Sequence, residues 1–235
     1  MVEGAHQMMG YDRASTMFSP DGRLLQVEYA KEAVKQGSTA IGIVCKDGVV
    51  LIADKRVADK LIVADAVEKI FQVDQHIGAT ATGYIMDGRI LIERAQLIAQ
   101  QHQVTYAVPI DTLTLVKELC DLKQSYTQYG GARPFGVSIL FIGVDEETPV
   151  LYATEPTGIY FEYKATVLGE GADAVKEILY KEYSEDITMD EAIKLGVRAL
   201  KRVLGKDFDL RRIDGATVSL QTKKYQLIDK KKFKV

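Results

Sequence analysis

Apolar positions along this chain switch between a helical rhythm and runs of strand character, and the switches are sharply punctuated. In "SPDGRLLQVEYAKEAVKQG" the residues Leu24, Val27, Ala30 and Val34 recur at helical spacing, Ser19 and Pro20 stand where a helix starts, and Gly37 where one stops. This predicts an amphipathic helix over 19–36. The next stretch, "STAIGIVCKDGVVLIADKRV", reads as two continuously apolar strands, buried on both faces, joined at Lys46-Asp47-Gly48 by a tight turn. Shorter strands are expected at Leu61–Ala64, Lys69–Val73 and Ile77–Thr82. Two long helical patterns follow, Ile85–His102 with Leu91, Ala95 and Ile98 on one face, and Asp111–Gln128 with Leu115, Leu119 and Leu122 on one face and Asp111 as N-cap. Strand patterns return in "FGVSILFIGVD", "PVLYATEP", "GIYFEY" and "KATVLG". A second helix pair spans Ala172–Tyr183 and Thr188–Leu204, the latter opened by the capping box Thr188…Glu191. The hairpin pattern "GATVSLQTKKYQLID" and a basic tail close the chain.

Helix pairs that interrupt long strand runs, instead of alternating singly with strands, argue against a doubly wound parallel sheet. The expected class is α+β, a four-layer αββα sandwich of two antiparallel sheets flanked by helix pairs, with an extra N-terminal helix. The five prolines are dispersed and no linker-like segment appears, so residues 1–235 are expected to form a single domain. Within it, 1–18 and the 19–36 helix precede the sandwich at 38–235.

Composition narrows the function classes. A net charge of -3 with both signs interspersed provides no field for nucleic acid or an anionic membrane, which leaves proteins or peptides as partners. Cys45 and Cys120 lie in apolar periodic segments, and neither shares metal-ligand spacing with His6, His76 or His102. They read as buried reduced thiols, with no metal and no cofactor expected. The start lacks an apolar core of signal-peptide length and no run approaches the ~20 residues of a membrane span, so a cytoplasmic location is expected.

Five motifs are specific enough to identify a family: "YDRASTMFSPDGRLLQVEYAKEAVKQGST", "DKRV", "VEKIFQVD", "YTQYGGARPFGVS" and "YKATVLGEGADA". With them, the chain from about Tyr11 onward resembles an archaeal-type proteasome alpha subunit. The resemblance implies the N-terminal nucleophile hydrolase fold and a seven-membered alpha ring that caps a ring of catalytic beta subunits. It raises one chemical question at Gly37-Ser38. Catalytic relatives are cleaved at this point, and the freed α-amino group serves as base for the new N-terminal nucleophile, assisted by a lysine and an acid. By the same resemblance Ser38 falls at the nucleophile position, Asp54 at the acid and Lys69 at the lysine.

Against processing, the supporting serines and aspartate of catalytic relatives are replaced here by Gly169-Glu170-Gly171-Ala172 and Lys206-Asp207-Phe208-Asp209. Cleavage after Gly37 would also discard the helix before it, whose four apolar side chains are worth at most ~6–12 kcal/mol of docking. Without cleavage Ser38 carries an amide nitrogen, which is no base at neutral pH. Ser38 is therefore expected to be a strand-start residue and the chain to have no catalytic residues; the alternative is a catalytic hydrolase processed at Gly37-Ser38.

The resemblance then moves function to three features. Tyr11, Asp12, Pro20 and Tyr29 would form the cluster that holds the N-terminal gate open. Lys69, Gly83 and Glu28 would belong to a pocket between neighbouring alpha subunits that receives the C-terminal tails of a regulatory AAA ATPase ring, with Lys69 pairing the terminal carboxylate. Tyr129, Gly130, Gly131 and Ala132 would line an annulus passing only unfolded polypeptide. Implied partners are further copies of the chain, beta subunits, the ATPase ring and the polypeptide in transit, in ATP-dependent protein degradation.

Overall fold

The computed structural model describes residues 10–57, 59 and 61–233. Its elements run α1 (Leu25–Lys35), β1 (Ala40–Cys45), β2 (Gly48–Asp54), β3 (Ile70–Asp74), β4 (Ile77–Gly83), α2 (Ile85–Tyr106), α3 (Thr112–Tyr126), β5 (Val137–Asp145), β6 (Thr148–Thr154), β7 (Tyr160–Glu162), β8 (Ala165–Leu168), α4 (Ala172–Glu182), α5 (Met189–Leu204), β9 (Ile213–Ser219) and β10 (Tyr225–Leu227). The strands form two five-stranded sheets, β10-β9-β2-β1-β8 and β3-β4-β5-β6-β7, antiparallel throughout.

Strand alternation explains the layers. Along β2, Val49, Leu51 and Ala53 pack into the space between the sheets with Leu140, Ile142 and Leu151, while Val50 and Ile52 point the other way into the layer with Val175, Ile193 and Leu200 of α4 and α5. Both faces are covered, so every residue of β2 is buried. On the opposite side Ala79, Ile139 and Phe141 meet Leu91, Leu115 and Leu119 of α2 and α3. This is the expected four-layer sandwich of the N-terminal nucleophile hydrolase type.

The predicted caps form. The Asp111 carboxylate accepts from the Thr114 amide at 2.8 Å, and Thr188 and Glu191 close a reciprocal capping box. Two expectations are corrected. The N-terminal helix begins at Leu25, not near Ser19: Pro20-Asp21-Gly22 make a turn closed by Gly22 N–H to the Ser19 carbonyl (2.8 Å), and Gly22 sits at φ 74°, outside the helical region. The buried face is accordingly Leu25, Val27, Ala30 and Val34, with Leu25 in place of Leu24. Leu61–Ala64 is not a strand. The Asp59 side chain accepts from the Leu61 amide at 2.8 Å, the chain turns, Ala64–Ala66 form a 3-10 turn, and Leu61 is 92% exposed.

Cys45 and Cys120 are free and buried as expected, and burial raises both thiols, Cys120 to about 11. No patterning announces Lys123, which is fully buried on α3 and donates to the Val137 carbonyl and to Thr154 Oγ1, both at 3.0 Å. Burial lowers its pKa to about 7, below the unfolded value. The unfolded chain therefore binds more protons above pH 7, and the lysine contributes stability that rises with pH by up to ~1.4 kcal/mol per unit. The two thiols, raised in the fold, act with the opposite sign above about pH 8.5. Denaturant melts should show stability rising between about pH 7 and 8.5, with Lys69, lowered to about 8, adding to the upper end of the rise, and Lys123→Met should remove the part that begins near pH 7.

Candidate functional site

Gly37 joins the end of α1 to the start of β1, and it does so against another glycine. A Cβ at Gly37 would lie 2.4 Å from the Gly83 amide nitrogen, so the α1–β1 joint and the end of β4 touch backbone to backbone. Gly83 itself has φ 122°, and a Cβ there would fall 2.2 Å from the Gly136 carbonyl. These approaches leave a cleft of about 390 Å³ beneath α1, lined by Gly37, Ser38, Lys69, Phe71, Gly83 and Tyr84 among others.

Ser38 is buried at one edge of this cleft. Its carbonyl accepts from Thr82 Oγ1 at 3.2 Å, and its neighbours are stitched to the turn at 169–171: Glu170 N–H donates to the Gly37 carbonyl (2.8 Å) and Thr39 Oγ1 to the Glu170 carbonyl (2.7 Å). The residues on both sides of the Gly37–Ser38 peptide are thus held in the fold, with α1 packed immediately before them.

Asp54, at the end of β2, is 1% exposed and is engaged by arginine. Arg212 Nε and Nη2 reach its two carboxylate oxygens at 2.9 and 2.7 Å, the Arg56 amide donates to Oδ1 at 3.0 Å, and Arg212 Nη1 also holds the Asp207 carbonyl at 2.9 Å. The bidentate bond to Asp54 raises the pKa of Arg212. The β2–β9 register, which sets Asp54 opposite Ile213, is what brings Arg212 there. Nothing in local sequence marks Arg212; only the strand pairing does.

Lys69 precedes β3 and donates from Nζ to the Ala81 carbonyl at 2.5 Å. Burial pushes its pKa down to about 8; the charge of Asp54 opposes the shift and that of Arg56 adds to it. Among the described residues no carboxylate lies within ion-pair distance of Nζ. Lys69 and Gly83 share the cleft. Glu28 does not line it: on α1 it pairs with Arg23 at 3.1 Å.

The expected gate residues occupy three successive pieces of chain. Tyr11 and Asp12 lie in a turn whose Asp12 carbonyl accepts from Gln26 Nε2 of α1 at 2.6 Å, Pro20 is exposed in the Ser19–Arg23 turn, and Tyr29 projects half exposed from α1 beside a second, smaller cleft of about 210 Å³. The part of the gate segment before Gly10 lies outside the described residues. Tyr129–Ala132 form an exposed turn after α3, with Ala132 N–H to the Tyr129 carbonyl at 3.3 Å and Gly131 at φ 85°. Ser15 Oγ meets the Tyr129 carbonyl at 3.4 Å, so the gate-side segment and this turn are neighbours within one chain.

A further supporting group has no signal in the local sequence. Asp87 of α2 takes a two-armed bond from Arg133 (2.6 and 2.8 Å) and a third from the Gly136 amide (2.9 Å), and Arg133 also covers the Tyr84 ring. Burial works against ionisation of Asp87, yet these hydrogen bonds outweigh it and hold the carboxyl below its usual range. The exit of the glycine turn is thereby fixed to α2 and to the rim of the cleft.

A family model described as "Proteasome subunit" matches residues 34–218, and a second one, for the N-terminal signature of A-type proteasome subunits, matches residues 11–33. The proteasome alpha subunit of Methanosarcina barkeri is 52% identical over 218 residues, covering 93% of this chain and 88% of that protein. That of Archaeoglobus fulgidus is 58% identical over 192 residues, covering 82% and 78%, and that of Thermococcus sibiricus 50% over 219 residues, covering 93% and 84%. With matches over both the N-terminal signature and the body of the chain, and relatives about half identical over most of its length, the chain belongs to the proteasome subunit family as an alpha subunit of the core particle.

Proposed function

We propose that the chain is a non-catalytic member of a seven-membered ring of its own kind, which stacks on beta subunits that carry the peptidase activity, gates the entry of unfolded polypeptide, and receives the C-terminal tails of a regulatory AAA ATPase ring in the Lys69 cleft. The observation that carries this reading is the division of the inherited charged groups. Asp54 is taken by Arg212, and Lys69 is left in a partly desolvated cleft with, among the described residues, no carboxylate of its own. A terminal carboxylate entering that cleft supplies the missing partner, and in reduced solvent the pair is stronger than on an open surface.

The turn at Asp12, tied to α1 by Gln26, is then the hinge of the gate, and α1 connects that hinge to the cleft through Gly37. Tyr129–Ala132, stiffened at its exit by Arg133–Asp87, repeats around the ring as a constriction. No helix among the described residues is long and apolar enough to cross a membrane.

Tail binding should depend on pH in a defined direction. The free ammonium titrates at about 8, and a bound carboxylate raises that value, so the complex holds more protons than the free ring above pH 8. Affinity of the assembled particle for a tail peptide, measured by fluorescence anisotropy, should be level from about pH 6.5 to 7.5 and fall by up to ~10-fold per unit above pH 8. An affinity flat to about pH 9.5 would remove Lys69 as the carboxylate's partner.

A further inference from the structure

Arg56, just past the end of β2, sits in the left-handed region at φ 48° although it is not glycine, a conformation that persists only where the surroundings fix it. Here they do. Its amide donates to Asp54 Oδ1 at 3.0 Å, and the amide of Lys55 before it donates to the Arg212 carbonyl at 2.8 Å. The guanidinium is thereby brought to the end of α1. Nη1 donates to the carbonyl of Gln36, the C-cap residue, at 2.9 Å, where a helix leaves its last carbonyls free and its dipole favours a cation. Nη2 pairs with Glu170, in the turn whose amide already donates to the Gly37 carbonyl.

The two arms differ in how firmly they are held. The Glu170 arm joins side chains that are 43% and 67% exposed, so water competes for it and it exchanges readily. Gln36, Arg56 and Lys69 all line the one cleft, and the charge of Arg56 is felt at Lys69. We propose that Arg56 is the positioning residue that couples this cleft to α1: one arm stays on the Gln36 carbonyl while the other exchanges Glu170 for the carboxylate of an entering tail. The coupling rests on the reading of the cleft as a docking site. A tail held by Lys69 alone would be bound without a link to α1, whereas Arg56 ties the same carboxylate to the last turn of the helix behind the gate segment. The buried Asp54–Arg212 pair is the mount that aims it.

The experiment compares variants in the assembled particle. Hydrogen exchange without any tail reads the hold on α1: in Arg56→Ala the amides of residues 35–37 should exchange about 10-fold faster, the effect of one lost hydrogen bond on fraying of the helix end, and Arg56→Lys, which can still reach the Gln36 carbonyl, should restore most of the protection. Titration of peptide hydrolysis with a tail peptide reads the coupling. Lys69→Ala should raise the half-saturating concentration, whereas Arg56→Ala should lower the maximal stimulation at saturating peptide by about two-fold or more; a group that merely shaped the cleft would move the first and leave the second. Glu170→Gln, which removes the competing carboxylate, should tighten tail binding about 3-fold. Unchanged exchange or an unchanged maximum in Arg56→Ala, or unchanged binding in Glu170→Gln, would overturn the proposal. A tail that binds Lys69→Ala as well as the unaltered ring would instead sink docking itself, whereas Lys69-dependent binding with a full maximum in Arg56→Ala would sink the coupling alone.

Discussion

Lys69→Ala should abolish stimulation of the assembled particle by a peptide that ends like an ATPase tail, while basal hydrolysis of a short peptide by the beta subunits should be unchanged. The variant removes the one cleft cation left without an anionic partner, and it does so without opening the core, since the lysine stem is only part-buried. Loss of one member of a partly desolvated charge pair costs about 2–4 kcal/mol, a ~30- to ~1000-fold loss of tail affinity. The measurement is a titration of peptide hydrolysis against tail peptide. Unchanged stimulation would remove the docking assignment, and Lys69→Arg, which retains charge with different geometry, should fall between the two.

The second large effect is on stability, at Asp54. Arg212→Ala leaves the Asp54 carboxylate, at 1% exposure, with only the Arg56 amide on it, and should destabilise the fold by about 3–5 kcal/mol in a denaturant melt. Asp54→Ala should cost less, because the freed Arg212, 19% exposed, still holds the Asp207 carbonyl and reaches water. The order matters: were Asp54 held chiefly by a lysine, as the processed alternative requires, Arg212→Ala would be close to neutral.

Much of this was legible in the residues. The uninterrupted apolar runs of β1 and β2 required burial on both faces and hence four layers, and the caps at Asp111 and Thr188 formed where their side chains could reach the first free amides. Local reading failed where two local signals competed. Ser19-Pro20 can open a helix, but Asp21-Gly22 behind it makes a left-handed turn first; Leu61–Val63 is apolar enough for a strand, yet an aspartate two residues earlier captures the backbone. It also failed where the cause was nonlocal. Arg212 finds Asp54 across 158 residues, Arg133 finds Asp87 across 46, and Lys123 is buried because two sheet acceptors happen to face α3. Of the proposed docking residues, Lys69 and Gly83 meet in one cleft because β3 and β4 are a hairpin, whereas Glu28 of α1 does not line that cleft and pairs locally with Arg23. Gly37, the residue that made the chain look cleavable, is required by the approach of Gly83 whether or not a cut is made.

A retained α1 and a silent Ser38 both depend on whether the Gly37–Ser38 peptide bond survives assembly. Intact mass spectrometry of this chain, recovered from particles assembled with a beta subunit, measures it directly. Residues 1–37 should remain attached to Ser38, and rings of the chain alone should hydrolyse no peptide; a chain beginning at Ser38, with peptidase activity in those rings, would contradict a non-catalytic role.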